Sequence, residues 1–252
     1  MKLPIRIEVD GEQIEDVELR EMSGADIAEV KKVGANGDTY SAFLAFAVSC
    51  TKSLGDIEDK KQIREAYKNA PFDTVYAVAV HGMALTRGID KIEGRYKCKC
   101  GTIIEHFDEF ADPLPEADPI DNENIEFSCN NKIEIVNSKT QETVFSVEKL
   151  LMRRPLIKDL IKAFHKYPDD DTQMQFEVYK ECILKADDRE ISEKDRIAYG
   201  DMIFRKMSLS DLTALGKAIS LPFGKVECVC MKCKRRWVTD LDLTNFFDYE
   251  AD

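Results

Sequence analysis

The sequence predicts an α+β protein of two tandem repeat lobes, each a β-hairpin plus a small helical bundle, joined by a shared zinc-ribbon-like knuckle pair. Three observations predict it. A hairpin-then-helices pattern occurs twice in the same order. Each occurrence closes in clustered cysteines, Cys98-Lys-Cys100-Gly101 in the first and Cys228-Val-Cys230-Met-Lys-Cys233 in the second, and Cys50 stands as far before Cys98 as Cys182 stands before Cys230. Between the two lies Ala111-Asp-Pro-Leu-Pro-Glu-Ala-Asp-Pro119, proline-rich and acidic with little to bury. The expected boundaries are a first lobe over 1–110, a linker over 111–124 and a second lobe with a C-terminal tail over 125–252.

The elements follow in order. Ile5, Ile7 and Val9 alternate, Asp10-Gly11 supplies a turn, and Ile14, Val17 and Leu19 return, the pattern of a hairpin. The plan recurs with Ile133, Ile135 and Val136, the turn Asn137-Ser-Lys-Thr140, and Val144, Phe145 and Val147. Each hairpin runs into a string with arginine and aspartate at the same spacing, Arg20 and Asp26 in the first, Arg153 and Asp159 in the second. Helices are expected over 41–53, 57–67 and 72–85, and over 173–186, 192–204 and 209–219. Ser192 with Asp195 and Ser208 with Asp211 give capping signals, and Pro71 opens a helix as a first-turn proline does. The lobes are expected to meet near the knuckles. The repeat is imperfect, because the second copy is longer before its last helix and shorter after it, so the equal cysteine spacing is partly coincidence.

The chain has 252 residues, 44% hydrophobic and 33% charged, with a formal net charge of −12. That balance opposes nucleic acid as the main partner, since backbone binding neutralises phosphates with cations. Met1-Lys-Leu-Pro-Ile-Arg-Ile-Glu8 reads as a strand, not an export signal, and the apolar run Ala42–Val48 is far shorter than a membrane span of roughly 20 residues. Eight cysteines without an export signal point to reduced thiols, and clustered ones point to metal.

Four thiolates from two tight turns make a structural zinc site. The expected ligands are Cys98, Cys100, Cys230 and Cys233, with Lys97, Lys99, Lys232, Lys234, Arg235 and Arg236 offsetting the charge of the tetrathiolate. Cys228-Val-Cys230 has the spacing of Cys98-Lys-Cys100, so Cys228 stands as an alternative to Cys233, and Cys129 is a further alternative. Cys50 and Cys182 sit beside apolar residues and read as core. Lys234-Arg-Arg-Trp237 reads as a solvated turn around the metal in preference to a base-stacking patch. Catalytic signals are weak. His81 reads as a core histidine; His106 and His165 belong to no catalytic pattern; Asp169-Asp-Asp171 precedes a helix, where carboxylates suit the dipole. A zinc ion ligated by four thiolates keeps no open position for substrate.

Three segments together resemble a known family. Val17-Glu-Leu-Arg-Glu-Met-Ser-Gly-Ala-Asp26, Gly94-Arg-Tyr-Lys-Cys98-Lys-Cys100-Gly101 and Val226-Glu-Cys-Val-Cys230-Met-Lys-Cys233, with the ending Leu241-Asp-Leu-Thr-Asn-Phe-Phe247, are similar to the zinc-ribbon baseplate hub subunits and hub-assembly proteins of T4-like contractile-tailed bacteriophages. The C-x-C form of the first knuckle departs from the family pattern. The resemblance implies a non-catalytic role in virion morphogenesis through contacts with other tail and baseplate hub proteins. It implies work in the host cytoplasm during assembly, with the virion baseplate as a second location. The hairpin edges and the tail Phe246-Phe247-Asp-Tyr249 are the expected contact elements. Two other classes compete: a zinc-ribbon adaptor in transcription, which the acidic charge opposes, and an enzyme, which would need a polar pocket around His81 or His106.

Overall fold

In the computed structural model, β1 (Lys2–Val9) and β2 (Glu12–Leu19) form the expected antiparallel hairpin. Asp10 and Gly11 take φ of 52° and 84°, the left-handed pair that a two-residue turn matched to strand twist requires. Leu3, Ile5, Ile7 and Val17 point into the core. The structure describes residues 1–35, 37–88, 91–109, 122–137, 139–219 and 225–240. Most of the 111–124 linker and the whole 241–252 tail lie outside the described residues.

Four helices and one strand complete the N-terminal half. Helix α1 (Gly24–Gly34) starts in a capping box between Ser23 and Asp26. Helix α2 (Thr39–Cys50) starts where Asp38 accepts a hydrogen bond from the Ser41 N–H. The sequence pattern carried this helix to Ser53, but the chain leaves it at Cys50. Thr51–Leu54 becomes β3, pairing with β2 through Val17↔Leu54 and Leu19↔Thr51. Helix α3 (Lys60–Lys68) begins later than Ile57, because the Asp59 side chain caps the N–H groups of Lys61 and Gln62. Helix α4 (Phe72–Arg87) follows Pro71 and stops at Gly88, whose φ of 63° suits a left-handed cap. The hairpin of β4 (Lys91–Lys97) and β5 (Ile103–Glu109) carries the first knuckle at its tip.

The C-terminal half opens on a longer hairpin, β6 (Ile125–Val136) with β7 (Thr143–Met152). Helices α5 (Ile157–Lys166) and α6 (Asp171–Cys182) follow, the second capped by Asp170 as the acidic triplet suggested. Again the helix ends at a cysteine instead of running to Ala186. Ile183–Ala186 forms β8 against β7, and β9 (Arg189–Glu190) adds a short edge. Helix α7 (Glu193–Lys206) has the Ser192–Asp195 capping box. In α8 (Leu209–Ile219) the Asp211 N–H bonds the Ser208 hydroxyl. The buried Asp211 carboxylate accepts from both the backbone and side-chain amides of Asn130, at the bulge of β6. The strands β10 (Lys225–Val229) and β11 (Arg236–Asp240) carry the second knuckle. The described residues thus hold eight helices with small antiparallel sheets, an α+β architecture.

One constellation occurs in both halves. Arg20 bonds Asp26 through two nitrogens at 2.9 and 3.0 Å, and its own N–H bonds the Cys50 carbonyl. Arg153 bonds Asp159 at 2.6 and 3.0 Å, and its N–H bonds the Cys182 carbonyl. These forked pairs tie the strand exit, the next helix start and the end of the cysteine-bearing helix together. The register also shifts at the same place, between Glu18 and Leu19 and between Leu151 and Met152.

The halves meet away from the knuckles as well as at them. Phe72 N–H bonds the Pro155 carbonyl at 2.9 Å, and Ile157 N–H bonds the Ala70 carbonyl at 3.1 Å. His165 Nε2 lies 2.7 Å from the buried Asp38 carboxylate, and Tyr40 and Phe72 pack against both cores. This seam was not foreseen from sequence. Among the described residues, no helix is long and apolar enough to cross a membrane.

Candidate metal centre

Each knuckle is built by the same backbone device. In the first, the Cys98 N–H bonds the Thr102 carbonyl at 2.8 Å and the Gly101 N–H bonds the Cys98 carbonyl at 2.8 Å. In the second, the Cys230 N–H bonds the Arg235 carbonyl at 2.9 Å and the Lys234 N–H bonds the Cys230 carbonyl at 2.8 Å. The reversing residues, Gly101 and Lys234, have φ of 85° and 59°. Glycine enters that region freely, whereas Lys234 does so against the side-chain clash of an L-residue. The second turn holds one more residue between its cysteines, so C-x-C and C-x-x-C present their sulfurs from otherwise matching turns.

The two tips face each other. The sulfurs of Cys98, Cys100, Cys230 and Cys233 all lie within 4.8 Å of one another. Cys98 and Cys233 are 3.5 Å apart, Cys100 and Cys230 3.6 Å. A tetrahedral ion at the roughly 2.3 Å metal–sulfur distance of zinc thiolates separates its sulfurs by about 3.8 Å, so the four fit one divalent ion. Cys98 and Cys230 are buried beneath the centre, and Cys100 and Cys233 face outward.

The electrostatics favour a cation. Hydrogen bonds from the Thr102 hydroxyl and backbone N–H bring Cys100 down to about 6. Backbone N–H groups of Cys233 and Lys232 lower Cys230. The backbone N–H of Cys100 also favours the Cys98 thiolate, but burial and hydrogen bonds shared with the neighbouring thiols push Cys98 up to about 11. Crowded sulfurs cannot all ionise beside one another without a positive ion between them. A divalent metal removes that conflict by replacing the thiol protons.

The other cysteines separate from this group. Cys228 is buried on β10 with Tyr96, and Trp237 packs against the pair. Strand alternation turns Cys228 and Cys230 to the same inner side, yet only Cys230 reaches the sulfur cluster. Cys129 packs against the C-terminal core, and burial pushes it up to about 11. Burial likewise pushes Cys50 and Cys182 up to about 12. His81 is half-buried on α4 and falls to about 4, through burial and then the nearby N-terminal ammonium. Of the His106 side chain nothing is described; His165 belongs to the seam. The supports that sequence reading missed are Thr102, which stabilises the Cys100 thiolate, and Gly94, where a Cβ would lie 2.4 Å from the Tyr96 hydroxyl. The alternation of Tyr96 with Cys98 was the signal available for that small core.

Comparison with protein-family models, with curated proteins and with solved structures gives no match.

Proposed function

We propose that this chain is a non-catalytic protein of two repeated lobes, clamped by one structural zinc ion in a ribbon-like knuckle pair, that works by binding other proteins. The observation that carries this reading is the convergence of four sulfurs from turns 130 residues apart in sequence. A tetrathiolate set is zinc chemistry of the structural kind, with every coordination position filled by protein. Duplication is supported by the twice-built Arg–Asp–cysteine constellation, the shared bulge position and the matching knuckle turns. Two related lobes held at a fixed angle suit a partner that is itself repeated, because the second contact then forms at high effective concentration.

The ordered resemblance of the knuckle and post-hairpin segments directs this reading to phage tail morphogenesis, as a baseplate hub assembly factor or hub component. Metal analysis of purified protein is expected to give about one zinc per chain, and near-zero metal after metal-replete purification would remove the clamp. Deleting the gene from a phage that carries it is expected to leave tails lacking complete baseplates. Normal yields of infective particles would end the assembly role.

A further inference from the structure

The knuckle tips carry a surface that the metal does not need. Met231 is 74% exposed and Ile103 64% exposed, both within three residues of a clustered cysteine. Around them Lys97, Lys99, Lys232, Lys234, Arg235 and Arg236 are all exposed. Within residues 95–105 and 227–237 the acidic residues are Glu105 and Glu227 alone, and Glu105 already pairs with Arg95 at 3.6 Å. A chain of net charge −12 thus gathers six exposed cations where two distant segments meet, none of them ion-paired among the described residues.

We propose that the paired knuckle tips are a docking surface for an acidic polypeptide segment of a partner protein, studded with apolar side chains. Carboxylates of such a segment pair with the lysine and arginine rim, and its apolar side chains cover Ile103 and Met231, the latter able to adapt its shape. The inference rests on the reading that the chain works through protein contacts.

Three features favour polypeptide over nucleic acid. A nucleic-acid strand carries charge all along its length and runs past the tips onto a protein that is acidic overall, whereas a short acidic segment ends within the patch. Screening over about 8 Å at physiological salt confines the attraction to the tips. The aromatic that would stack a base is already occupied: the Arg235 guanidinium lies 5.9 Å from the centroid of the half-buried Trp237 ring. Exposed apolar side chains, Ile103 and Met231, flanked in sequence by exposed cations suit a protein partner with both acidic and apolar groups.

The test uses the full-length, metal-loaded chain and fluorescence anisotropy with a short labelled peptide alternating Asp and Glu with Leu and Phe. The comparators are the same peptide with Asn and Gln replacing its acids, and an oligodeoxythymidylate of matched length. The acidic peptide is expected to bind, more weakly as salt rises. The combined Lys97→Gln, Lys99→Gln and Lys232→Gln variant is expected to weaken it at least about tenfold. The Ile103→Ser, Met231→Ser variant is expected to weaken it several-fold with the salt slope unchanged. Zinc content and thermal midpoint are checked on each variant. If a variant loses its metal, the wild-type comparison of acidic with neutral peptide decides. Equal binding of the two peptides, no binding of either, or tighter binding of the oligonucleotide overturns the proposal. The assay uses purified components, so its outcome is independent of whether the chain serves a phage tail.

Discussion

If the four clustered cysteines hold the proposed zinc ion, Cys230→Ser should destabilise both halves of the molecule, and the size of the effect follows from the sequence separation of the knuckles. The Cys100 and Cys230 sulfurs meet across 130 residues. Closing a loop of that length in an unfolded chain costs about 17 cal/mol/K by the chain-entropy relation, about 5 kcal/mol at 25 °C. The folded chain has already brought the tips together, so it would bind the proposed ion more tightly than the unfolded chain by about that amount. By linkage, saturating metal stabilises the fold equally, up to about 5 kcal/mol. For a chain of this size that corresponds to about 10–20 °C in the unfolding midpoint. The assay is thermal unfolding of wild type and Cys230→Ser, each with excess zinc and with a chelator, followed by far-ultraviolet circular dichroism and by fluorescence of the single tryptophan, Trp237. The difference between the proteins should be large with zinc and mostly vanish with chelator. Hydrogen exchange should quicken in β1–β2 and in β6–β7, not only around the knuckles. A midpoint change below about 2 °C, or faster exchange confined to the knuckles, would refute the loop-closure reasoning.

Three further outcomes follow from individual contacts. Asp211→Ala strips the buried partner from both amides of Asn130 and should cost about 2–3 kcal/mol in urea unfolding, with little change in slope. The Arg20 guanidinium, followed by hydrogen bonds from Ser23, holds Asp26 down to about 2. Its stabilisation is complete above the ordinary aspartate range near pH 4 and is lost as pH falls from about 4 to 2; after allowance for solvent screening, Asp26→Asn should remove about 1 kcal/mol of that acid-sensitive stability, read from urea midpoints at pH 6 and pH 2.5. Gly82→Ala would place a Cβ 2.1 Å from the buried Cys50 sulfur and should cost about 1–3 kcal/mol by the same measurement, most of it recovered in the Gly82→Ala, Cys50→Ala double variant.

The parts of the fold legible in the sequence are those set by local chemistry. Asp10-Gly11 announces its turn because so few residue pairs accept two positive φ values in succession. Ser192 and Asp195 announce a helix start because each satisfies the other's backbone donor. The matched spacing of Arg20 with Asp26 and Arg153 with Asp159 was visible, but that both pairs clasp a cysteine-bearing helix end was not. β3 and β8 were hidden for a related reason. Thr51–Leu54 and Ile183–Ala186 prolong an apolar helical pattern, and only pairing with β2 and β7 turns them into strands. The seam at Ala70, Pro71, Pro155 and Ile157 joins residues far apart in the chain with no composition to mark them. Within the sulfur cluster, spacing pointed to Cys98, Cys100, Cys230 and Cys233, and left Cys228 and Cys129 as alternatives. The geometry favours Cys233, because Cys228 is committed to the ladder opposite Trp237.

The wide separation of the two knuckles also fixes an order of events during synthesis. At roughly 5–20 residues per second, the first cysteine pair leaves the ribosome about 7–26 s before the second. Through that interval Cys98 and Cys100 can offer a metal only two sulfurs, and a neighbouring nascent chain is as chemically suitable a source of the missing pair as its own distant continuation. The contacts of Phe72 with Pro155 and of Asp38 with His165 hold the two halves together within one molecule, which raises the local concentration of the second knuckle at the first. Weakening that seam is therefore expected to redirect metal coordination between chains, yielding exchanged dimers bridged by two ions instead of monomers closed by one.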